Sequence, residues 1–359
     1  MAVRIRTTAR FRSDINQPVG SASLLVGNNI APRMHRYDWF PEAGEFGAKA
    51  VDPLLGPSSH YAQQIRCIEW DAAARNAVCA VGDGTTNIGT WNQVCFRLTL
   101  AGLNPISTIA RTGVSREVAL DPVEGVAIFT SYAANGGGIY QYTQAGFGSL
   151  ITASNAGGAT ISTAICPATK RVAFGRTAAT RLTYHPYSLA AGIPGPIVWT
   201  GDGIGDVGLV DRDVNALTFT ADGSRLIVGY NTTPRVAVFA TDSLPSEGLE
   251  SLTQTFVIPT TVDQVRLNPQ ETILAVAGNT ALLLYRWSDG NIVSTLRGIT
   301  PAGTVQCFDW SPDGRYIAVG LTSTPWVQVF RVDDTGVTFA CQNPATNPGG
   351  SVNAVKFAY

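Results

Sequence analysis

Charge is scarce in this chain. Only 14% of its 359 residues are Asp, Glu, Lys or Arg, and the net charge is −1, where an average globular protein carries about 25% charged residues. A chain so close to neutral lacks the broad field that draws nucleic acid or an acidic membrane, so neither is expected as a partner. Disorder needs low hydrophobicity and high net charge, and a 45% apolar composition excludes it. No apolar run approaches the roughly 18 residues of a membrane span, and the N-terminus lacks the apolar stretch of a secretory signal.

Histidine is nearly missing too. His35, His60 and His185 leave little general-base capacity near neutral pH. There is no G-x-S-x-G elbow for a nucleophilic serine. The six cysteines, Cys67, Cys79, Cys95, Cys166, Cys307 and Cys341, contain no CxxC pair and show no metal spacing with the histidines. They sit mostly in apolar runs, where a thiol behaves as a small hydrophobe. No catalytic residue, metal or cofactor is expected from these patterns.

Glycine (37) and proline (20) are plentiful, and the pattern is of many short strands joined by turns. It repeats. Phe308-Asp309-Trp310-Ser311-Pro312-Asp313-Gly314-Arg315-Tyr316-Ile317-Ala318-Val319-Gly320 reads as strand, turn, strand, and Leu217 to Gly229 is the same unit. Val265-Arg266-Leu267-Asn268-Pro269 begins another. Taking the last apolar residue of each first strand as a marker gives Trp70, Leu120, Ile165, Phe219, Leu267, Trp310 and Phe357. An aromatic in a third strand follows on the same period: Phe96, Tyr140, Tyr184, Phe239, Tyr285 and Phe330, with Tyr37 as the seventh. Two marks on one period of four short strands indicate propeller blades.

The two ends of the sequence decide the closure. Ser351 to Phe357 is a first strand with no second after it, and Leu24-Leu25-Val26-Gly27 is a second strand with no first before it. The expected fold is therefore all-β. It is a seven-bladed β-propeller over residues 20–359, closed by pairing the C-terminal strand with the N-terminal strands and preceded by a basic arm over residues 1–19. On the residues Trp310 to Gly320 and Val327-Gln328-Val329-Phe330, with their echoes, the chain resembles the seven-bladed WD-repeat-like propellers. In place of that family's Trp-Asp it has Phe330-Arg331, Phe239-Ala240 and Tyr285-Arg286. The resemblance implies architecture and names no partner.

Several places could carry function. Polar residues near the starts of first strands should point into the central channel: Arg66, Glu117, Asn215, Asp263, Gln306 and Asn353. Gly203-Ile204-Gly205-Asp206-Val207-Gly208 matches a dinucleotide-binding pattern but lacks the helix such a site needs. An inter-blade loop is the preferred reading. The same loop holds Asp202, Asp206, Asp211 and Asp213, which read as solvated turn aspartates, with calcium as the rival. Trp91 and Trp199 flank the loops at 83–90 and 201–213; both read as blade core, with a sugar ligand as the rival should they be exposed. The arm carries Arg4, Arg6, Arg10 and Arg12 and no acid before Asp14, and its period-two pattern suits a strand docking on a neighbouring subunit, with its own propeller as the alternative.

A propeller without a catalytic grouping is by default a rigid disc that binds other proteins. The sequence-based expectation is a structural or docking protein, with partners in its own assembly. A tailed-bacteriophage virion component of the tail, baseplate or capsid is the preferred setting. The alternatives are a cytoplasmic WD-like scaffold, and a lactonase-like channel enzyme or an adhesin for a host surface glycan.

Overall fold

The structure is a computed structural model. It describes residues 22–29, 34–40, 45–51, 64–82, 90–99, 102–131, 137–153, 159–177, 182–187, 199–200, 213–241, 252–256, 261–278, 281–333, 335–342 and 349–359. The chain enters through β1 (Ser23–Asn28), β2 (Met34–Phe40) and β3 (Glu45–Val51). Blade one follows as β4 (Gln64–Asp71), β5 (Asn76–Gly82), β6 (Thr90–Thr99) and β7 (Gly102–Thr112). Blade two is β8 (Val118–Asp121), β9 (Val126–Phe129), β10 (Gly138–Thr143) and β11 (Gly146–Ala153). Blade three is β12 (Thr160–Cys166), β13 (Arg171–Arg176), β14 (Leu182–Pro186) and β15 (Trp199–Thr200). Blade four is β16 (Val214–Phe219), β17 (Arg225–Tyr230), β18 (Val236–Ala240) and β19 (Leu252–Phe256). Blade five is β20 (Gln264–Leu267), β21 (Ile273–Gly278), β22 (Ala281–Ser288) and β23 (Asn291–Ile299). Blade six is β24 (Val305–Trp310), β25 (Tyr316–Leu321), β26 (Val327–Asp333) and β27 (Gly336–Gln342). The last strand, β28 (Val352–Ala358), joins β1, β2 and β3 to make blade seven.

All seven sheets are four-stranded and antiparallel, as the repeat predicts. Closure runs as expected. Leu24 pairs with Phe357 on one side and with Tyr37 on the other, and Ser23 lies opposite Ala358. The last residues also reach both neighbouring blades. The backbone N–H of Phe357 donates to Asp309 of blade six at 3.0 Å, and the Trp70 indole of blade one donates to the Tyr359 carbonyl at 3.3 Å.

The core is one apolar cluster per seam. Each joins residues of two adjacent blades, from Val118, Phe129 and Tyr140 against Val78 and Cys95 to Leu24, Tyr37 and Phe357 against Ala318 and Val329. A middle strand thus buries both faces and reads as a continuous apolar run, as Tyr316-Ile317-Ala318-Val319-Gly320-Leu321 does. Marker, partner and aromatic lie in one row across the blade: Trp310–Ile317–Phe330, Phe219–Leu226–Phe239, Phe357–Leu24–Tyr37. These rows pack onto the preceding blade.

Blade three breaks the expected pattern. Ile165 pairs with Val172, and Val172 pairs with His185, so the residue in the aromatic row is His185 and not Tyr184. A one-residue offset turns a strand side chain to the opposite face. Tyr184 accordingly packs forward against Phe219 of blade four at 6.1 Å, while the His185 ring stands edge-on to Phe174 at 5.8 Å. The Asp-Gly hairpins also differ in detail. Ser311 and Tyr316 bracket a four-residue loop in which Gly314, at φ 65°, donates to the Ser311 carbonyl. Asp313 takes the Arg315 N–H.

Seams close tightly because second strands carry glycine where the next blade arrives. A Cβ on Gly320 would stand 2.5 Å from Val352 Cγ1 and 3.0 Å from the Val352 carbonyl oxygen. Backbone on one side leaves little room to relax. Gly320→Ala is therefore expected to cost about 1–3 kcal/mol, read as a lower urea midpoint. Val123→Ala, at a side chain 90% exposed on a hairpin tip, should leave that midpoint unchanged.

Candidate functional site

The first strands converge on the axis, and their inward residues form the channel. All six residues expected there line one cavity of about 220 Å³: Arg66, Glu117, Asn215, Asp263, Gln306 and Asn353. A second cavity, of about 380 Å³, opens at the hairpin end, where Leu120, Ile165, Leu267, Pro269, Pro312 and Tyr359 form an apolar rim. Cys67, Glu117, Gln264 and Arg266 line both cavities and stand between them.

Between the two ends lies a charge network that the sequence reading missed. Arg266 of blade five donates to Asp309 of blade six at 2.8 Å and to Glu69 of blade one at 3.0 Å. Lys356 of blade seven lies 2.8 Å from the other Glu69 oxygen and 3.6 Å from Asp309. Two cations and two anions from four consecutive blades cancel. The opposite arc carries Ala119, Ala164 and Thr218 at the equivalent positions. Burial pushes the Glu69 carboxyl up, but Lys356 and Arg266 outweigh it and hold it below its usual range. Burial likewise acts against the Lys356 ammonium, and Asp309 and Glu69 more than reverse that effect. A signal for this ring does exist in the sequence. Each charge sits immediately before a blade marker, as Glu69-Trp70, Arg266-Leu267, Asp309-Trp310 and Lys356-Phe357.

A further set of contacts comes from three residues before the marker. There a side chain reaches the inner strand of the next blade. Glu117 accepts the Thr163 N–H at 2.8 Å, and Gln264 takes the Phe308 N–H at 2.9 Å while donating to its carbonyl at 3.1 Å. Ser162 donates to the Val214 carbonyl at 2.8 Å, and Cys307 to that of Val352 at 3.6 Å. Burial pushes the Cys67 thiol up to about 12, which suppresses the reactive thiolate. At the hairpin end Tyr142 donates to Asp71 at 2.8 Å and Tyr187 to Asp121 at 2.6 Å, so two seams carry a buried hydroxyl–carboxylate latch.

Most of the other expected site residues lie outside the described residues. Arg4, Arg6, Arg10 and Arg12 lie outside the described residues, as do Asp202, Asp206, Asp211 and the Gly203–Gly208 motif. Asp213 is described, and it holds the Asn231 amide at 3.0 Å in a local turn contact. Trp91 and Trp199 sit in β6 and β15, opposite Arg111 and Tyr184; only their backbone is described. Among the described residues no group of three or more His, Cys, Asp or Glu could hold a metal ion, and no helix is long and apolar enough to cross a membrane.

Comparison with known proteins bears on the fold. A model of the NUP159/214 β-propeller family matches residues 207–355. A candidate 6-phosphogluconolactonase from Bacteroides uniformis superposes with TM-score 0.73 at 13% identity, covering 94% of this chain and 99% of that one. A Lactobacillus plantarum protein gives TM-score 0.73 at 13% identity, over 95% and 100% of the two chains. A chain of the mitotic checkpoint complex gives 0.57 at 15% identity over 81% and 82%. No curated protein matches the sequence. The chain is a WD-like seven-bladed propeller, an architecture with the potential to bind proteins.

Glu69→Gln would leave Arg266 and Lys356 sharing Asp309 alone. Breaking a buried pair costs about 3–5 kcal/mol, and Glu69 keeps 22% of its side-chain surface exposed, so the lower end is expected in urea unfolding at pH 7. Because its folded pKa is depressed, its stabilisation is present above the usual carboxyl range and is lost as the pH falls through the folded value. The variant should accordingly lose less stability than the wild type between pH 5 and pH 2.

Proposed function

We propose that this chain is a non-enzymatic docking disc within a large protein assembly. The observation that carries this reading is how the channel's polar groups are used. Glu69, Arg266, Asp309 and Lys356 bind one another, and Glu117 and Gln264 grip neighbouring backbone. Acid–base chemistry requires a group held free to meet a substrate proton. Here such groups join blades. The propeller fold and the likeness to a chain of the mitotic checkpoint complex support a protein partner.

The arm supplies the contact. Its arginines, Arg4, Arg6, Arg10 and Arg12, would pair with acidic groups on the neighbour and fix orientation more than affinity. β1 begins opposite Ala358, so the described chain starts at the hairpin face that carries Tyr359 and the apolar rim. That face is the side we assign to the partner. A bacteriophage tail, baseplate or capsid is the more specific setting of this reading. It draws on composition, the arm and the lack of chemistry, and nothing in the similar proteins named above points to a virion.

The second reading is a channel enzyme, which the likeness to a candidate lactonase and the polar mouth at Arg66, Glu117 and Asp263 favour. Purified protein should show no lactone hydrolysis above background; turnover abolished by Glu117→Gln would replace the docking reading with this one. For docking itself, deleting residues 1–16 should leave circular dichroism and melting temperature unchanged while abolishing incorporation into the assembly. Normal incorporation of the truncated protein would refute the arm's role.

A further inference from the structure

We infer that Glu117 is a proton-controlled clamp on the seam between blades two and three, closing on Thr163 with two hydrogen bonds when its carboxyl is protonated and with one when it is not. The comparison that carries this lies in the same molecule. Gln264 occupies the equivalent position in blade five and makes both bonds to one residue of blade six, accepting from the Phe308 N–H at 2.9 Å and donating to its carbonyl at 3.1 Å. Glu117 accepts from the Thr163 N–H at 2.8 Å. Phe308 and Thr163 hold the same place, two residues before their markers Trp310 and Ile165. A protonated glutamic acid has the length and the planar end of glutamine, with a donor on one oxygen.

The other seams make the contrast sharper. Among the described residues, Cys67, Ser162 and Cys307 also reach across from this position, donating to Val118, Val214 and Val352 carbonyls. With Gln264 that makes four donors. Glu117 joins them only when a proton, taken from channel water, sits on the oxygen that does not hold the Thr163 N–H. Its surroundings set where that happens. Burial, the dominant influence, raises the carboxyl to about 7, against the Thr163 N–H, Arg266 and Arg116, with Glu69 adding to the rise. Arg66, Cys67, Asp263, Asp309 and Lys356 line the same cavities, and β12 brings no charged group to them.

The sign follows. The folded state holds this proton more tightly than the unfolded chain, so the clamp's contribution is whole below the usual glutamate range and is lost as the pH rises through about 7. In urea unfolding the wild-type folding constant should fall by about tenfold or more between pH 5 and pH 8 through this group. Glu117→Gln should abolish that fall and be the more stable protein at pH 8. Gln264→Glu should add a second fall of the same sign. In the wild type, the Thr163 carbonyl, which loses its partner while the N–H keeps its own, should shift its carbonyl-carbon NMR resonance over the same interval, and this reading needs no variant to fold. A Glu117→Gln protein that keeps the wild-type pH slope, or is less stable than wild type at pH 8, would overturn the proposal. An unchanged Thr163 carbonyl resonance from pH 5 to pH 8 would do so equally.

Discussion

The ring rests on the antiparallel pairing of β28 with β1. Every other blade is one continuous stretch of chain, and blade seven alone is assembled from both ends. Bringing Leu24 to Phe357 closes a loop spanning nearly the whole sequence, at an entropic cost of about 5 kcal/mol before the constant term. The return is two seams. With β28 in place, Leu24, Trp39 and Phe357 are covered by blade six, and Leu25, Ile65 and Ile68 pack with Ala354 at blade one. Each such side chain contributes about 1.5–3 kcal/mol on burial, so two seams outweigh the closure cost. Without β28 both faces of its neighbours would lose their cover.

The electrostatics follows the same geography. The inner arc from blade five through blade seven to blade one carries Arg266, Asp309, Lys356 and Glu69, while the remaining arc is uncharged at that level. Lys356 lies on the strand that must find its partners from the far end of the chain, and it is met by an anion on either side. Arg266 spans from blade five to Glu69 in blade one, past the two intervening blades. Partly buried charges cost free energy unless matched, and a misplaced β28 would leave two anions facing one cation. The network therefore penalises wrong assembly more than it adds to the stability of the right one.

Much of this was legible in residues, and what was not has an identifiable cause. Trp310, Phe219 and Phe357 marked first strands because one face of each blade repeats an apolar residue beside a turn. Gly27, Gly229 and Gly320 kept a fixed distance of 10 residues to the third-strand aromatic. Glycine stands at those places because Ile65, Val262 and Val352 of the next blade leave no room for a Cβ. The slip came at Tyr184-His185, where two ring side chains adjoin and the sequence favours the aromatic; only pairing with Val172 decides that His185 holds the row. Arg66, Asn215 and Gln306 were placed in the channel correctly, since their strands run to a common axis. The Glu69–Arg266 pair joins residues 197 positions apart; the place before a marker puts each charge on the ring, but neither segment tells which charge it meets.

How the polar groups are spent bears on where function can lie. A propeller's axis is its usual place for chemistry, because side chains from all blades meet there around water. In this chain Gln264, Glu117, Ser162, Cys67 and Cys307 turn sideways to the next strand, and the four central charges turn toward one another. Recruiting any of them to a ligand would unpair a group in a seam, at about 1–3 kcal/mol for a lost buried partner. Binding at the rims carries no such cost. Leu150, Val293 and Phe339 are exposed on the outermost strands, and Tyr359 is exposed at the hairpin face. Those surfaces can change without loosening a blade, so the physics that stiffens the centre leaves the outside of the disc as the part where a contact costs the ring least.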